Sequence, residues 1–192
     1  MLVQYLKADI LKTRRLSLRM AHLVIPVGTA VLFVTYYSFS AGEESVKIEA
    51  FYQVLGMALP VLCGMFCSMF SEQEAAAGAF QSMLMVQKKY IPFLSKLILL
   101  LFWELGALLL VSALFGAGFT FILGNHLVPI RFYFLVSVHL WGSSIVLYIL
   151  HLFLAFQCRK GISIGLGIVE SLVSGLFLTD MGKYVWTYVP VS

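Results

Sequence analysis

Apolar residues fall into five long blocks along the chain, separated by short polar or charged segments. The blocks run from about Met20 to Phe39, Phe51 to Phe70, Phe93 to Leu123, Phe132 to Phe156 and Ile162 to Thr179. A helix needs about 20 apolar residues, rising about 1.5 Å each, to cross a hydrocarbon core about 30 Å thick. Within that core the backbone must satisfy its own hydrogen bonds, which a helix does. The pattern therefore predicts an all-α integral membrane protein, a single domain over residues 1–192 with five transmembrane helices. The third block exceeds one crossing. It predicts tilt, extension into the interface, or a break near Gly116-Ala117-Gly118, with tilt favoured.

Ahead of the first block, residues 1–15 predict an interfacial helix. At about 100° per residue Leu2, Val3, Leu6 and Ile10 share an arc, with Lys12 and Arg15 across from it. A basic topology anchor is the alternative role for this stretch. A full-length span follows Arg19 and no A-x-A site precedes the outer loop, so the segment is expected to stay rather than to be removed as a signal peptide. At the other end, residues 180–192 predict an outer tail whose Tyr184, Trp186 and Tyr188 suit the headgroup belt.

Composition narrows the class further. With 61% hydrophobic and 11% charged residues, and a mean hydropathy of +0.96, the chain is unlike a soluble domain, which carries roughly 25% charged residues. Sixteen Phe and three Cys exclude a disordered chain and a disulfide scaffold, and the 15 Gly follow no collagen period. The net charge of +4 does not point to nucleic acid, because the 13 Lys and Arg lie scattered between apolar blocks and make no basic face. Their distribution sets orientation instead. With the N-terminus inside, Lys7, Lys12, Arg14, Arg15, Arg19, Lys88, Lys89, Lys96, Arg159 and Lys160 are inner and only Lys47, Arg131 and Lys183 are outer, so the N-terminus is expected to be cytoplasmic.

Nucleotide and hydrolase motifs are wanting. No G-x-x-x-x-G-K-[ST] loop is present, so any ATP-driven work would fall to another chain. Gly161-Ile162-Ser163-Ile164-Gly165 matches G-x-S-x-G, but that motif needs a strand-to-helix turn with a His and an acid nearby, whereas here it opens an apolar span. Gly161 and Gly165 suit helix packing instead. The pair Glu43-Glu44 is followed by Lys47 in an outer loop, not by the membrane setting and Arg of an intramembrane protease. His22, His126, His139 and His151 show no metal-site spacing, and the two on the fourth span lie about 120° apart, so each is expected to be an interfacial or satisfied polar residue. Cys63 and Cys67, one helical turn apart, are expected to be packing residues.

Three segments carry candidate function. The inner loop over residues 72–92 predicts a short Ala-rich amphipathic helix, with Phe80, Met83 and Leu84 as an apolar edge and Lys88-Lys89 closing it; such an edge suits a partner groove or the lipid surface. Two acids fall inside spans, where a charge costs roughly 3 kcal/mol or more at the helix centre. Glu104 has no polar companions on its own span and is expected either to carry function or to bond to a neighbouring span. On the last span, with Gly161 as zero, Glu170 falls at about 180°, Ser163 at about 200°, Ser174 at about 220° and Gly167 at about 240°. That strip is expected to face something other than lipid, and with Glu104 it forms a candidate translocation path.

Leu11-Lys12-Thr13-Arg14-Arg15 with His22-Leu23 and Pro26, then Glu74-x3-Gly78-x-Phe80-Gln81-x2-Leu84 with Lys96-Leu97, then Thr179-Asp180-x-Gly182 with Trp186 and Pro190, together resemble the permease subunits of lantibiotic-immunity ABC transporters, a branch of the ABC-2 export permeases. The resemblance implies six spans, a second permease chain that is the same or homologous, and an ABC ATPase dimer beneath them. Residues 72–92 would be the coupling segment, with Glu74, Gly78, Phe80, Gln81 and Leu84 receiving the ATPase stroke. ATP and Mg would bind the ATPase, and this chain would hold no cofactor and perform no covalent chemistry. The family's sixth span would begin where this sequence ends at Ser192, so the expectation is either a truncated sequence or a five-span member. The resulting expectation is a bacterial cell-membrane permease subunit that expels a membrane-bound antimicrobial peptide, a lantibiotic, and so confers immunity. The outer acids Glu43, Glu44 and Glu49 could attract a cationic peptide. The alternatives are a small intramembrane enzyme, a protease or lipid phosphatase using Glu104, Glu170, His139 or His151, and a passive membrane scaffold.

Overall fold

A computed structural model of the chain describes residues 2–13, 17–78, 80–124, 128–158 and 160–178, and is built from helices. These are α1 (Leu2–Thr13), α2 (Ser17–Phe39), α3 (Glu44–Ala76), the one-turn α4 (Gln81–Leu84), α5 (Tyr90–Phe121), α6 (Ile130–Gln157) and α7 (Lys160–Phe177). The outer tail, His126, Arg14, Arg15 and Arg159 lie outside the described residues, as do the side chains of Leu84 and Lys160.

Four of the helices, α2, α3, α5 and α6, are long and apolar enough to cross a membrane. Helix α7, at 18 residues, sits at the short end of that range. The molecule is a multi-pass membrane protein. The 33 residues of α3 and the 32 of α5 span about 50 Å each at 1.5 Å per residue, so both project beyond the hydrocarbon core.

Helix α5 is continuous through Gly116-Ala117-Gly118, which excludes the break. Its glycines admit neighbours. A Cβ on Gly118 would meet Val34 of α2 at 2.6 Å, and one on Gly116 would meet the Tyr133 ring of α6 at 3.2 Å. Helix α5 thus lies between α2 and α6, while α3 packs on α6 and, most extensively, on α7. The α3–α7 seam is antiparallel: Gly64 faces Ser163 and Gly167 faces Pro60. An added Cβ at these two glycines would stand 2.6 Å from the Ser163 carbonyl oxygen and 2.5 Å from that of Pro60, so the two backbones all but touch.

Two apolar clusters fill the bundle. Toward the outer end Tyr37, Phe51, Phe115, Phe119 and Tyr133 interlock, with the Phe51 and Phe115 rings stacked at 3.7 Å. Toward the inner end Leu18, Cys63, Phe66, Cys67, Phe70, Leu100, Tyr148 and Leu152 form the second cluster. Both cysteines are buried there, as packing residues should be. Side chains of α6 reach across to main-chain oxygens on its neighbours. Trp141 Nε1 donates to the Leu101 oxygen at 2.9 Å, and the Ala155 oxygen in turn accepts from Ser71 Oγ of α3 at 2.6 Å. Such bonds between spans are how polar groups are satisfied where water is excluded.

The N-terminal helix forms where the sequence places it, and its apolar arc is free to face lipid. Its proposed apolar arc is turned outward in part, with Val3 at 63% and Ile10 at 44% exposed, while Asp9 and Thr13 are buried. Helix α1 packs on the start of α5, where Asp9 meets Ser95 and Lys96, and its Leu6 rests on the inner apolar cluster. Ion pairing with Lys96 explains the burial of Asp9.

Candidate functional site

Polar groups gather in two places: a charge cluster at the inner end of the bundle, and a string of side chains in its core. At the inner end, Lys96 of α5 is enclosed, its side chain 2% exposed. Its Nζ lies 3.2 Å from Asp9 Oδ1 and 3.3 Å from Glu74 Oε1, and Lys12 Nζ reaches the same Glu74 oxygen at 2.9 Å. Ser95 Oγ donates to Asp9 Oδ2 at 2.7 Å. Two carboxylates and two ammonium groups thus tie α1, α3 and α5 together, with no net charge. A buried pair of this kind adds little net stability, yet removing one partner strands a charge. Asp9 escaped the sequence reading. The signal was a lone acid one turn before Thr13 in an otherwise basic helix.

This cluster corrects the expected coupling segment. Glu74 is 1% exposed and held by two lysines, so it braces the bundle and presents nothing to a partner. The anticipated amphipathic helix is reduced to the single turn of α4 for a local reason: the Ala-rich stretch continues α3 to Ala76. The chain then turns through Gly78, at φ +143°, and Phe80, at φ +63°. A positive φ costs Gly nothing but strains Phe. Phe80 is held there by an edge-on contact with the Phe156 ring at 6.0 Å, so it is half-buried rather than a free knob. The outward surface is instead made by Gln81, Met85 at 84% exposure, and Gln87 to Tyr90.

In the core, the sequence strip on α7 lies where periodicity set it. Ser163, Gly167 and Ser174 are buried and Glu170 partly so. The strip is occupied by α3 and α6, which makes it a helix contact. Its acid is bonded: His151 Nε2 of α6 lies 2.9 Å from Glu170 Oε2, and His151 Nδ1 lies 3.1 Å from Ser163 Oγ. Ser163 Oγ also lies 3.2 Å from the His151 main-chain oxygen and 3.4 Å from that of Gly64. His151 is therefore a fully buried, satisfied residue, in a string that no one span could reveal.

Glu104 stands apart on α5. Ser144 Oγ of α6 donates to its Oε2 at 2.8 Å, while Oε1 has no hydrogen-bond partner among the described residues. Its companion is thus on a neighbouring span. His22 bonds the Leu18 oxygen at 2.8 Å and stacks on Phe66 at 3.9 Å; His139, exposed, bonds the Leu135 oxygen at 2.7 Å. Among the described residues, no three His, Cys, Asp or Glu cluster as a metal ion would require.

A serine, a histidine and an acid in hydrogen-bond sequence invite comparison with an acyl-transfer triad, more so with Ser163 inside G-x-S-x-G. The surroundings are wrong for that chemistry. Ser163 is fully buried at the α3 seam and its hydroxyl faces main-chain carbonyl oxygens, which repel an oxyanion, where acyl transfer needs converging N–H donors. What the string can do is hold and release a proton. Compared with protein-family models, curated proteins and solved structures, the chain finds no match in any of the three.

Proposed function

We propose that this chain is the membrane-spanning permease subunit of an ABC exporter, working with a separate ATPase dimer and a second permease chain. The observation that carries the reading is the construction of the inner end. The two longest helices, α3 and α5, are joined by a compact turn whose flanks, Glu74 and Lys96, are locked to each other and to α1 by buried ion pairs. A push on an exposed tip so braced moves two full-length helices as one unit, which is what coupling to an ATPase stroke requires. The docking surface in this reading is Gln81, Met85 and Gln87 to Tyr90, with Glu74, Gly78 and Phe80 shaping it from behind.

Within the same reading, the cargo is a membrane-bound antimicrobial peptide of the lantibiotic kind, cleared from a bacterial cell envelope. Its support is the sequence resemblance together with the acidic outer start of α3, where Glu44 and Glu49 are exposed and attract cations over a screened, short range. The strip on α7 moves from path to packing: Ser163, Gly167 and Ser174 hold α7 to its neighbours. The reading is tested by changing Met85 to Asp, which places a charge on the docking tip without disturbing the Phe80–Phe156 contact. Loss of the ATPase from the purified complex, with membrane insertion intact, is expected; unchanged recovery of the ATPase removes this turn from coupling.

A further inference from the structure

The string Ser163–His151–Glu170 has a use beyond packing. Its geometry accommodates two proton counts with the same heavy-atom contacts. In the fuller state His151 carries a proton on Nδ1 and donates it to Ser163 Oγ, at 3.1 Å. The Ser163 hydroxyl then donates to the main-chain oxygen of His151 at 3.2 Å or of Gly64 at 3.4 Å. One further proton is shared between His151 Nε2 and Glu170 Oε2 across 2.9 Å, and the string is neutral overall. In the emptier state the imidazole is protonated at Nε2 only and donates to a Glu170 carboxylate, while the Ser163 hydroxyl turns to donate to Nδ1. The two contacts of the imidazole again have one donor and one acceptor each, while the main-chain oxygens of His151 and Gly64 lose the Ser163 donor. The difference is one proton, exchanged at the Glu170 carboxyl, whose side chain is 12% exposed while that of His151 is fully enclosed.

The two states differ by a full charge in a layer where the described residues hold no cation to balance it. The other titratable groups there are Cys63 and Cys67 of α3, Glu104 of α5 and Tyr148 of α6, with Cys63 in electrostatic reach of both Glu104 and Glu170. All of these are acids, and among the described residues no Lys or Arg pairs with Glu170. A bare carboxylate in such a layer is favoured by any movement that brings it water. Helix α7 is the element on which the change of charge acts, since it carries both Ser163 and Glu170. It is held by the string and by the seam at Gly64 and Gly167, where a displacement of an ångström would break the fit.

We propose that Ser163, His151 and Glu170 form a proton-binding site inside the bundle, and that the bound proton keeps α7 docked on α3 and α6. The site stands whether or not the chain works with an ATPase. Cys63 reports on it: fully buried, it adjoins Gly64, against which Ser163 is pressed, whereas Cys158 is exposed and serves as an internal reference.

The test uses the full chain in lipid nanodiscs, alkylated with a small membrane-permeant maleimide at a series of pH values, with both cysteine peptides quantified by mass spectrometry. The Cys63-to-Cys158 labelling ratio should rise about tenfold from low to high pH, the response to about 1.4 kcal/mol of undocking. Glu170→Gln keeps the hydrogen bond and removes the charge, so its ratio should stay flat; Glu104→Gln should retain the rise. A wild-type ratio that does not change with pH overturns the proposal without recourse to any variant. So does a rise in Glu170→Gln parallel to the wild type, because the opening would then belong to another group.

Discussion

Replacing Lys96 by Met removes one cation from the inner-end cluster, together with its place 6.0 Å from the centre of the Phe70 ring, and keeps a side chain close in size to the Lys stem. Asp9 Oδ1 and Glu74 Oε1 lie 3.2 and 3.3 Å from the lost ammonium. Lys12 remains for Glu74, but its side chain is 34% exposed and it has no bond to Asp9, which keeps only Ser95. Breaking a buried ion pair from one side destabilises by about 3–5 kcal/mol, because the stranded charge pays for its own desolvation. Helix α1 should bear most of that loss, as it is short and its packing on α5 runs through Asp9. Hydrogen–deuterium exchange of the nanodisc-embedded chain reads the effect directly: protection over residues 2–13 should fall by roughly 10²–10³-fold while that of α6 holds. Adding Asp9→Ala to Lys96→Met removes the stranded carboxylate as well and should restore most of the protection. Protection of α1 within about threefold of wild type in Lys96→Met would refute the reasoning, since it would place the cluster in contact with water.

Gly167→Ala should force α3 and α7 apart, as its Cβ would meet the Pro60 oxygen at 2.5 Å; a loss of about 1–3 kcal/mol is expected and would show as weaker disulfide trapping between cysteines introduced along the seam. Glu104→Gln keeps an acceptor for Ser144 and relieves a buried acid, so stability in thermal unfolding should change by less than about 1 kcal/mol, whereas Ser144→Ala, which orphans the second carboxyl oxygen, should destabilise by about 1–3 kcal/mol. Phe80→Asp should disorder the turn itself through loss of the Phe156 contact, measured as protease sensitivity between α3 and α5, while Met85→Asp should leave the turn protected. Single cysteines at Glu44 and Gln87, in a background lacking the three native ones, should label from opposite sides of the membrane, and labelling of Gln87 by an impermeant reagent in intact cells would reverse the orientation.

The spans were legible because burial in lipid imposes one requirement on every residue of a crossing, and hydropathy reads that requirement locally. The polar strip on α7 was legible for a similar reason: about 100° per residue places Ser163, Gly167, Glu170 and Ser174 on one side whatever lies opposite. What lies opposite was not legible. His151 meets Glu170 only because α6 and α7 pack as they do, and Ser144 meets Glu104 by the same kind of accident of neighbours. The inner end was legible only in part. Amphipathic periodicity placed Val3 and Ile10 on an arc that the fold leaves exposed, but it said nothing of Asp9, which is buried only because Lys96 of α5 lies opposite it. The Ala-rich stretch before Gly78 was good helix former on either account, and it extends α3 with its alanines exposed, tied to the bundle by the buried Glu74.

The central claim is that the braced turn between α3 and α5 answers to an ATPase. Affinity purification of the tagged full chain from native membranes, with partners identified by mass spectrometry and ATP hydrolysis assayed on the isolated complex, tests it most directly. The account predicts a stoichiometric partner carrying a phosphate-binding G-x-x-x-x-G-K-[ST] loop, hydrolysis that copurifies with the chain, and loss of both on Met85→Asp. A chain recovered intact from the membrane with no ATPase and no hydrolysis would contradict it.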